Sequence, residues 1–288
     1  MNRVLIGLDI GGSKYMVAAA EPDTLHVTAT VKETTPEGLE EGIELLHTMI
    51  GRVTNGAPLA GIGAAIGGPL DWQTGVVSPL HQPAWRNVPL GRIMRDRWQV
   101  PFRCDVDTNV AALGEYYLGE YTESRLLYVT LSTGMGGGLV IDGKIYRGGF
   151  GGAHPEVGHQ AVPFRCAHPE RVSCECGAPD CLEGLISGNA IRRIYGKPAE
   201  ELDDAEWSEV AWNLGMGLRN LAALYAPDVI AIGGGMARQG EKLLGPARDV
   251  MLAHLKLVPA PRIVVSKLGY GTALRGALVL AREAAGLG

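Results

Sequence analysis

Three things are missing from this chain of 288 residues, and each removes a class of function. It has no basic run: 26 Lys plus Arg stand against 31 Asp plus Glu, a formal charge of -5, which argues against nucleic acid as a partner. It has no long hydrophobic run. The apolar stretch after Met1 is short and broken at Asp9, so neither a signal-peptide core nor a membrane span is expected, and the protein reads as cytoplasmic. It has no low-complexity linker, so two lobes of ordinary domain size would be joined by short crossings that suit a hinge rather than a tether. Cysteine is also scarce. Of Cys104, Cys166, Cys174, Cys176 and Cys181, four crowd into one short segment, and in a reducing compartment such crowding points to metal ligation before disulfides.

What is present reads as an α/β protein. Residues 4–10 form a run that is apolar except for Asp9 and is followed by glycines, the pattern of a buried strand. Residues 13–20 and 25–31 read as the next strands. A helix with Pro36 in its first turn would carry Leu39, Ile43, Leu46 and Ile50 on one face. A strand over 59–66, a helix over 90–98 and a strand over 102–105 follow. Residues 126–131 are a second strong strand, followed by a glycine loop over 132–138 and a hairpin signal with Asp142-Gly143 at its turn. The opening order of strand, glycine loop and returning strand thus recurs after roughly 120 residues, near domain size, which suggests a duplicated architecture. Further on come a helix carrying Leu214, Leu218, Leu221 and Tyr225, a strand over 229–232, the loop Gly233-Gly234-Gly235, and a last helix beyond Gly276.

The glycine loops carry the first chemical signal. Asp9-Ile10-Gly11-Gly12-Ser13-Lys14 follows a strand, and its glycines let backbone amides approach an anion closely. It is not the dinucleotide fingerprint, which needs a helix next, whereas residues 15–18 read as another strand. Thr133-Gly134-Met135-Gly136-Gly137-Gly138 offers hydroxyl and amide donors, and Gly233-Gly234-Gly235 lies between a strand and a helix, where a base or ribose could pack. A tight hairpin explains one such loop; three suggest a nucleotide. Asp105 and Asp107, at the end of a short strand, are the carboxylates that could accept a hydroxyl proton in phosphoryl transfer, although a lone Asp107 could equally be a helix cap. Cys174, Cys176 and Cys181 have a spacing suited to a tetrahedral site completed by a remote imidazole.

Together, these two loops, Glu156-Val157-Gly158-His159, Cys174-Glu175-Cys176-Gly177 with Cys181-Leu182-Glu183, and Ile232-Gly233-Gly234-Gly235 closely resemble the ROK family of sugar kinases and repressors, in order along essentially the whole chain. The resemblance implies a two-lobe, actin-like, hexokinase-type fold, divided here into 1–118, 119–270 and a C-terminal helix over 271–288 packing back on the first lobe, with ATP and sugar in the interlobe cleft. It makes Asp107 the general base within Asp105-Val106-Asp107-Thr108-Asn109. It assigns Gly68, Asp107, Glu156, His159 and Glu183 to the sugar, and Asp9, Gly11, Gly12, Ser13, Lys14, Thr133, Gly134, Gly234 and Gly235 to ATP with Mg2+. His159, Cys174, Cys176 and Cys181 become ligands of a structural Zn2+, with Cys166 and His168 as further candidates.

The sequence departs from the family pattern at three places. Val106 stands where glucose-type members usually carry a sugar-contacting Asn, Ser13 replaces the usual Thr but keeps its hydroxyl, and Gly269-Tyr270-Gly271 lies where an acidic residue is often found. The zinc segment looks glucokinase-like, whereas residues 154–159 and 181–188 look like the fructokinase branch. Glucose phosphorylation at the 6-hydroxyl is the expectation, with fructose next and N-acetylmannosamine or allose behind. A repressor is disfavoured because the first phosphate-loop strand begins at Val4, leaving no room for a helix-turn-helix, and a silent sugar sensor is disfavoured by Asp107. The resemblance further implies a homodimer or a tetramer.

Overall fold

The computed structural model describes residues 3–148 and 154–287. They cluster into two compact units, one of residues 3–121, 143–148, 154 and 271–287, the other of Thr122–Asp142 and Pro155–Tyr270.

The first unit opens with β1 (Val4–Ile10), β2 (Lys14–Ala20) and β3 (Val27–Thr34), then α1 (Leu39–Thr54), β4 (Leu59–Ile66), the short pair β5 (Leu70–Asp71) and β6 (Val76–Val77), α2 (Leu90–Trp98), β7 (Phe102–Val106) and α3 (Asp107–Leu118). Its sheet order is β3-β2-β1-β4-β7. The hairpin strands β1, β2 and β3 are antiparallel, and β1, β4 and β7 are parallel. β1 and β4 are nearly continuous apolar runs because both faces of the central sheet are covered. β3 instead alternates half-buried and exposed residues, as an edge strand does. Pro36 lies ahead of α1 rather than in its first turn, and Gly38 is the N-cap. Leu46 and Ile50 are fully buried, with Leu39 and Ile43 packed at the margin of the same core.

The second unit holds β8 (Arg125–Leu131) and β9 (Met135–Ile141); at its edge Asp142 and Gly143 are both in the left-handed region where the chain turns into β10 (Lys144–Ile145), whose residues are counted with the first unit. This is the hairpin that the Asp-Gly pair predicts. Gly136, Gly137 and Gly138 lie within β9, so the loop is shorter than the sequence suggests: they pair with Thr130, Val129 and Tyr128 of β8. There follow α4 (Glu183–Ile186), α5 (Gly188–Tyr195), α6 (Asp204–Tyr225), β11 (Val229–Gly233), α7 (Glu241–His254) and β12 (Arg262–Val265). α6 is capped at its N-terminus by Asp203, which closes a capping box with Glu206. Here too an antiparallel hairpin, β8 with β9, is followed by strands parallel to β8, namely β11 and then β12. The order of connections repeats that of the first unit.

The last helix, α8 (Thr272–Ala284), belongs to the first unit and packs on β1, β4 and α3. It begins before Gly276, and that glycine lies within it because α3 crosses there. A Cβ added at Gly114 of α3 would come within 2.7 Å of the Gly276 nitrogen and 2.8 Å of the Thr272 carbonyl oxygen. No helix among the described residues is long and apolar enough to cross a membrane.

Candidate active site

In the first unit, three motifs far apart in sequence meet because parallel strands end together. Ile10 pairs with Ile66 and Ile66 with Val106, so the carboxyl ends of β1, β4 and β7 are level. Gly11, Gly67-Gly68 and Asp107 are the residues that follow them. The carboxyl edge of a parallel sheet is where ligands of open α/β folds bind, since loops there are free to serve chemistry while the strands hold them.

The first loop is a tight hairpin. The Gly11 amide donates to the Lys14 carbonyl at 3.0 Å, and the Thr35 hydroxyl donates to the Gly11 carbonyl at 2.7 Å. A Cβ at Gly12 would sit 2.9 Å from that of His81. Burial raises the pKa of Asp9 to about 6, assisted by the charge of Asp107 and opposed by that of Lys14. The two carboxylates therefore sense each other across the strand ends. Burial likewise disfavours the charged form of Lys14, with Asp9 working in the opposite direction.

Asp107 is exposed and is the first residue of α3, with Val106 at the N-cap position. Its Oδ1 accepts from the Thr108 amide at 2.8 Å, and the positive end of the helix favours negative charge at this place. Asp105, two residues earlier, is buried. Its Oδ2 accepts from Arg147 Nε at 2.9 Å and Nη2 at 2.5 Å, and its Oδ1 from the Val106 amide and Asn109 Nδ2 at 2.8 and 2.9 Å. Arg147 also lies over the Trp72 ring, 4.0 Å from its centroid. Asp105 thus anchors the start of α3 from below while Asp107 faces solvent. Arg147 escaped the sequence reading, because a lone arginine after a hairpin, 42 residues away, gives no local signal. The Gly68 carbonyl accepts from the Leu80 amide at 3.0 Å, and Val106 packs near Gly68 within the core.

The second unit repeats the edge. Gly233 pairs with Thr130, so the segments after β8 and β11 lie together. A Cβ at Gly234, whose φ is 87°, would overlap the Leu131 backbone. Gly235 begins a short 3-10 turn over Gly235–Gln239 that precedes α7. Thr133 is exposed on its loop, and the carbonyl of Gly134 accepts from the Ser132 amide at 2.9 Å.

His159, Cys174, Cys176 and Cys181 come together, their ligand atoms all within 4.8 Å of one another. Cys174 Sγ lies 3.4 Å from His159 Nδ1, and Cys176 Sγ lies 3.4 Å from Cys181 Sγ. Bonds of about 2.3 Å to sulfur and about 2.0 Å to nitrogen in a tetrahedron place ligand atoms roughly 3.5–3.8 Å apart, so the donor set fits zinc. His159 Nε2 is directed instead to Glu156, 3.9 Å from its Oε2. Cys166 and His168 are outside the group; His168 is 3.8 Å from Glu170. Glu183 Oε2 accepts from the Met135 amide at 2.7 Å.

The ROK family model matches residues 5–284. A glucokinase from Thermotoga maritima is 30% identical over 320 residues, covering 98% of this chain and 98% of its own. A fructokinase from Zymomonas mobilis is 31% identical over 295 residues, covering 95% of each. The crystal structure of a ROK family glucokinase from Streptomyces griseus in complex with glucose and AMPPNP has a TM-score of 0.78 at 28% identity, covering 97% of this chain and 99% of that one.

Proposed function

Because the chain belongs to the ROK family, whose glucokinases share the actin-like two-lobe fold, we propose that it transfers the terminal phosphoryl group of ATP to the 6-hydroxyl of glucose. The observation that carries the reading is the meeting of the phosphate loop, the Gly67-Gly68 turn and Asp107 at the level ends of β1, β4 and β7. Asp107 takes the proton of the hydroxyl as its oxygen attacks the terminal phosphorus in line; the bond to the bridging oxygen breaks and ADP leaves. Amides and side chains at Asp9, Gly11, Gly12, Ser13 and Lys14 and at Thr133 and Gly134 hold phosphates, and Gly234 and Gly235 face the adenosine. Magnesium supplies neutralisation of phosphate charge when bound with ATP. Gly68, Glu156 and His159 hold sugar hydroxyls.

Fructose is the second reading, favoured by the identity to the Zymomonas fructokinase and by Val106, which lacks the polar group that would contact a glucose hydroxyl. A panel of hexoses assayed by ADP release decides between them: kcat/KM highest for glucose supports the proposal, and highest for fructose replaces it. Absence of turnover with every hexose would reject the kinase reading.

A structural zinc on His159, Cys174, Cys176 and Cys181 has four protein ligands and no open position. It would hold residues 156–186 together, with His159 Nδ1 on the metal side and Nε2 toward Glu156 and the sugar. Chelation is expected to release one zinc per chain, to lower Tm by several degrees and to weaken hexose binding. A chain purified with no bound zinc, and unchanged in Tm by added zinc, overturns the assignment.

Asp9 yields a pH prediction. Its folded pKa of about 6 exceeds the model-peptide value of about 3.9, so the folded state binds the proton more tightly. The stability this contributes is complete below about 4 and is lost as pH rises through about 6. Asp9→Asn, neutral throughout, is therefore expected to make the ligand-free protein more stable at pH 8 by on the order of 3 kcal/mol and to lose that advantage at pH 4, while weakening ATP use. Thermal melts at the two pH values check the sign; equal differences at both would remove Asp9 as the cause.

A further inference from the structure

Two of the four zinc donors are set by main-chain pairing. The Leu182 amide donates to the Gln160 carbonyl at 2.9 Å, and Ala161 and Cys181 form an isolated bridge, so His159 and Cys181 stand on segments that are already joined. Cys174 and Cys176 sit instead on an irregular stretch between the 3-10 turn Pro169–Arg171 and Cys181, the first half-buried and the second exposed. We propose that Arg193 is a positioning residue for the metal: its guanidinium clamps the chain entering Cys174 onto α4, the helix that follows Cys181, and so sets how tightly zinc is held. This rests on the zinc assignment and is independent of which hexose, if any, is phosphorylated.

Arg193 lies in the last turn of α5, whose buried residues are Ala190, Ile191 and Ile194. Its Nε donates to the Arg171 carbonyl at 2.9 Å, and its Nη2 donates to the carbonyls of Ser173 at 2.7 Å and Gly184 at 2.9 Å. Nη2 carries two hydrogens, so each of three N–H bonds has its own acceptor. The exchange is reciprocal. Arg171 Nη1 donates to the Ile194 carbonyl at 2.8 Å, one of the carbonyls that a helix end leaves without an internal partner.

The acceptors lie on both sides of the cysteines: Arg171 and Ser173 precede Cys174, and Gly184 follows Cys181. A Cβ at Gly184 would lie 2.5 Å from the Ser173 carbonyl oxygen and 3.4 Å from the Cys174 nitrogen, so a glycine is needed for the two segments to approach this closely. The approach sets two carbonyls side by side, and the guanidinium that both accept from replaces their repulsion with charge-assisted bonds. Its planar fork is pre-organised for several acceptors at once, which an ammonium group is not. Residues that orient metal ligands without touching the metal typically change its affinity by about 10- to 100-fold when removed.

The experiment compares Arg193→Ala, Arg193→Lys and Arg192→Ala with the wild type, each loaded with zinc and titrated with a chromophoric chelator. Arg193→Ala should hold zinc at least tenfold more weakly. Arg192→Ala, which removes the neighbouring charge on α5, should stay within threefold of wild type. Equal weakening by the two alanine variants would reduce the effect to surface charge and overturn the clamp, as would zinc affinity unchanged in Arg193→Ala. A loss of Tm equal in the zinc-free and zinc-loaded forms would make Arg193 a general stabiliser and also overturn it. If Arg193→Ala does not fold, Arg193→Lys decides through cobalt(II): weaker binding with altered d–d bands supports the clamp, and wild-type affinity with wild-type bands sinks it. A wild-type chain that binds neither zinc nor cobalt removes the metal assignment together with this proposal. A variant that holds zinc as well as a zinc-binding wild type removes the clamp alone.

Discussion

Asp107→Asn is expected to lower kcat by about 100- to 10,000-fold, the range that general-base catalysis supplies, while hexose affinity changes by no more than a few fold. Asparagine matches aspartate in size and can still accept the Thr108 amide through its side-chain oxygen, the contact Asp107 makes at 2.8 Å. The start of α3 is therefore preserved, as is the buried anchor beneath it, where Asp105 holds Arg147, Asn109 and the Val106 amide. What is lost is an atom that can take a proton. A fall in kcat and in kcat/KM together, with Tm within about two degrees of wild type, is the signature of an interaction made in the transition state. Turnover near the wild-type value would remove Asp107 from the base role. The same substitution deletes a charge that raises the Asp9 pKa, so Asp9 should ionise at lower pH in the variant, a shift that a pH titration of carboxyl resonances would register.

Gly276→Val is expected to cost on the order of 4 kcal/mol or more, a large part of the roughly 5–15 kcal/mol that holds an ordinary domain folded. A Cβ at Gly276 overlaps the Val110 carbonyl and comes within 3.1 Å of the Gly114 nitrogen, and both obstacles are backbone, which no rotamer change can clear. α3 and α8 would have to separate. Since α3 begins at Asp107, the damage should reach activity as well as stability. Gly51→Ala provides the contrast. Gly51 lies near the end of α1 with nothing within 4 Å of the added Cβ, and alanine there should stabilise by roughly 0.5–1 kcal/mol through helix propensity. Comparable melts for the two variants would show that the crossing is looser than its geometry indicates.

These expectations draw on two different kinds of information. Local patterns determined the elements: the apolar runs of β1 and β4, the Asp142-Gly143 turn and the spaced leucines of α6 depend on neighbours a few residues apart, so they are legible one segment at a time. The glycine loops and the cysteine spacing were legible for the same reason, as short motifs whose chemistry is carried by residue type. Even so, periodicity could not tell where the second glycine loop ends, since Gly136 to Gly138 become strand only through their pairing with β8. Nor could it separate a helix cap from a base at Asp107.

Only the tertiary structure decided what lies beside what. Parallel register brings the ends of β1, β4 and β7 level, although their motifs are dozens of residues apart. Arg147 reaches Asp105 from 42 residues away, and Glu183 reaches the Met135 amide from 48. Such contacts are fixed by the packing of whole strands and helices rather than by any preference of the residues themselves. The sequence by itself determined the family to which this chain belongs; the fold decided which side chains stand at the carboxyl edge of the sheet and which, like Asp105, are buried to hold that edge in place.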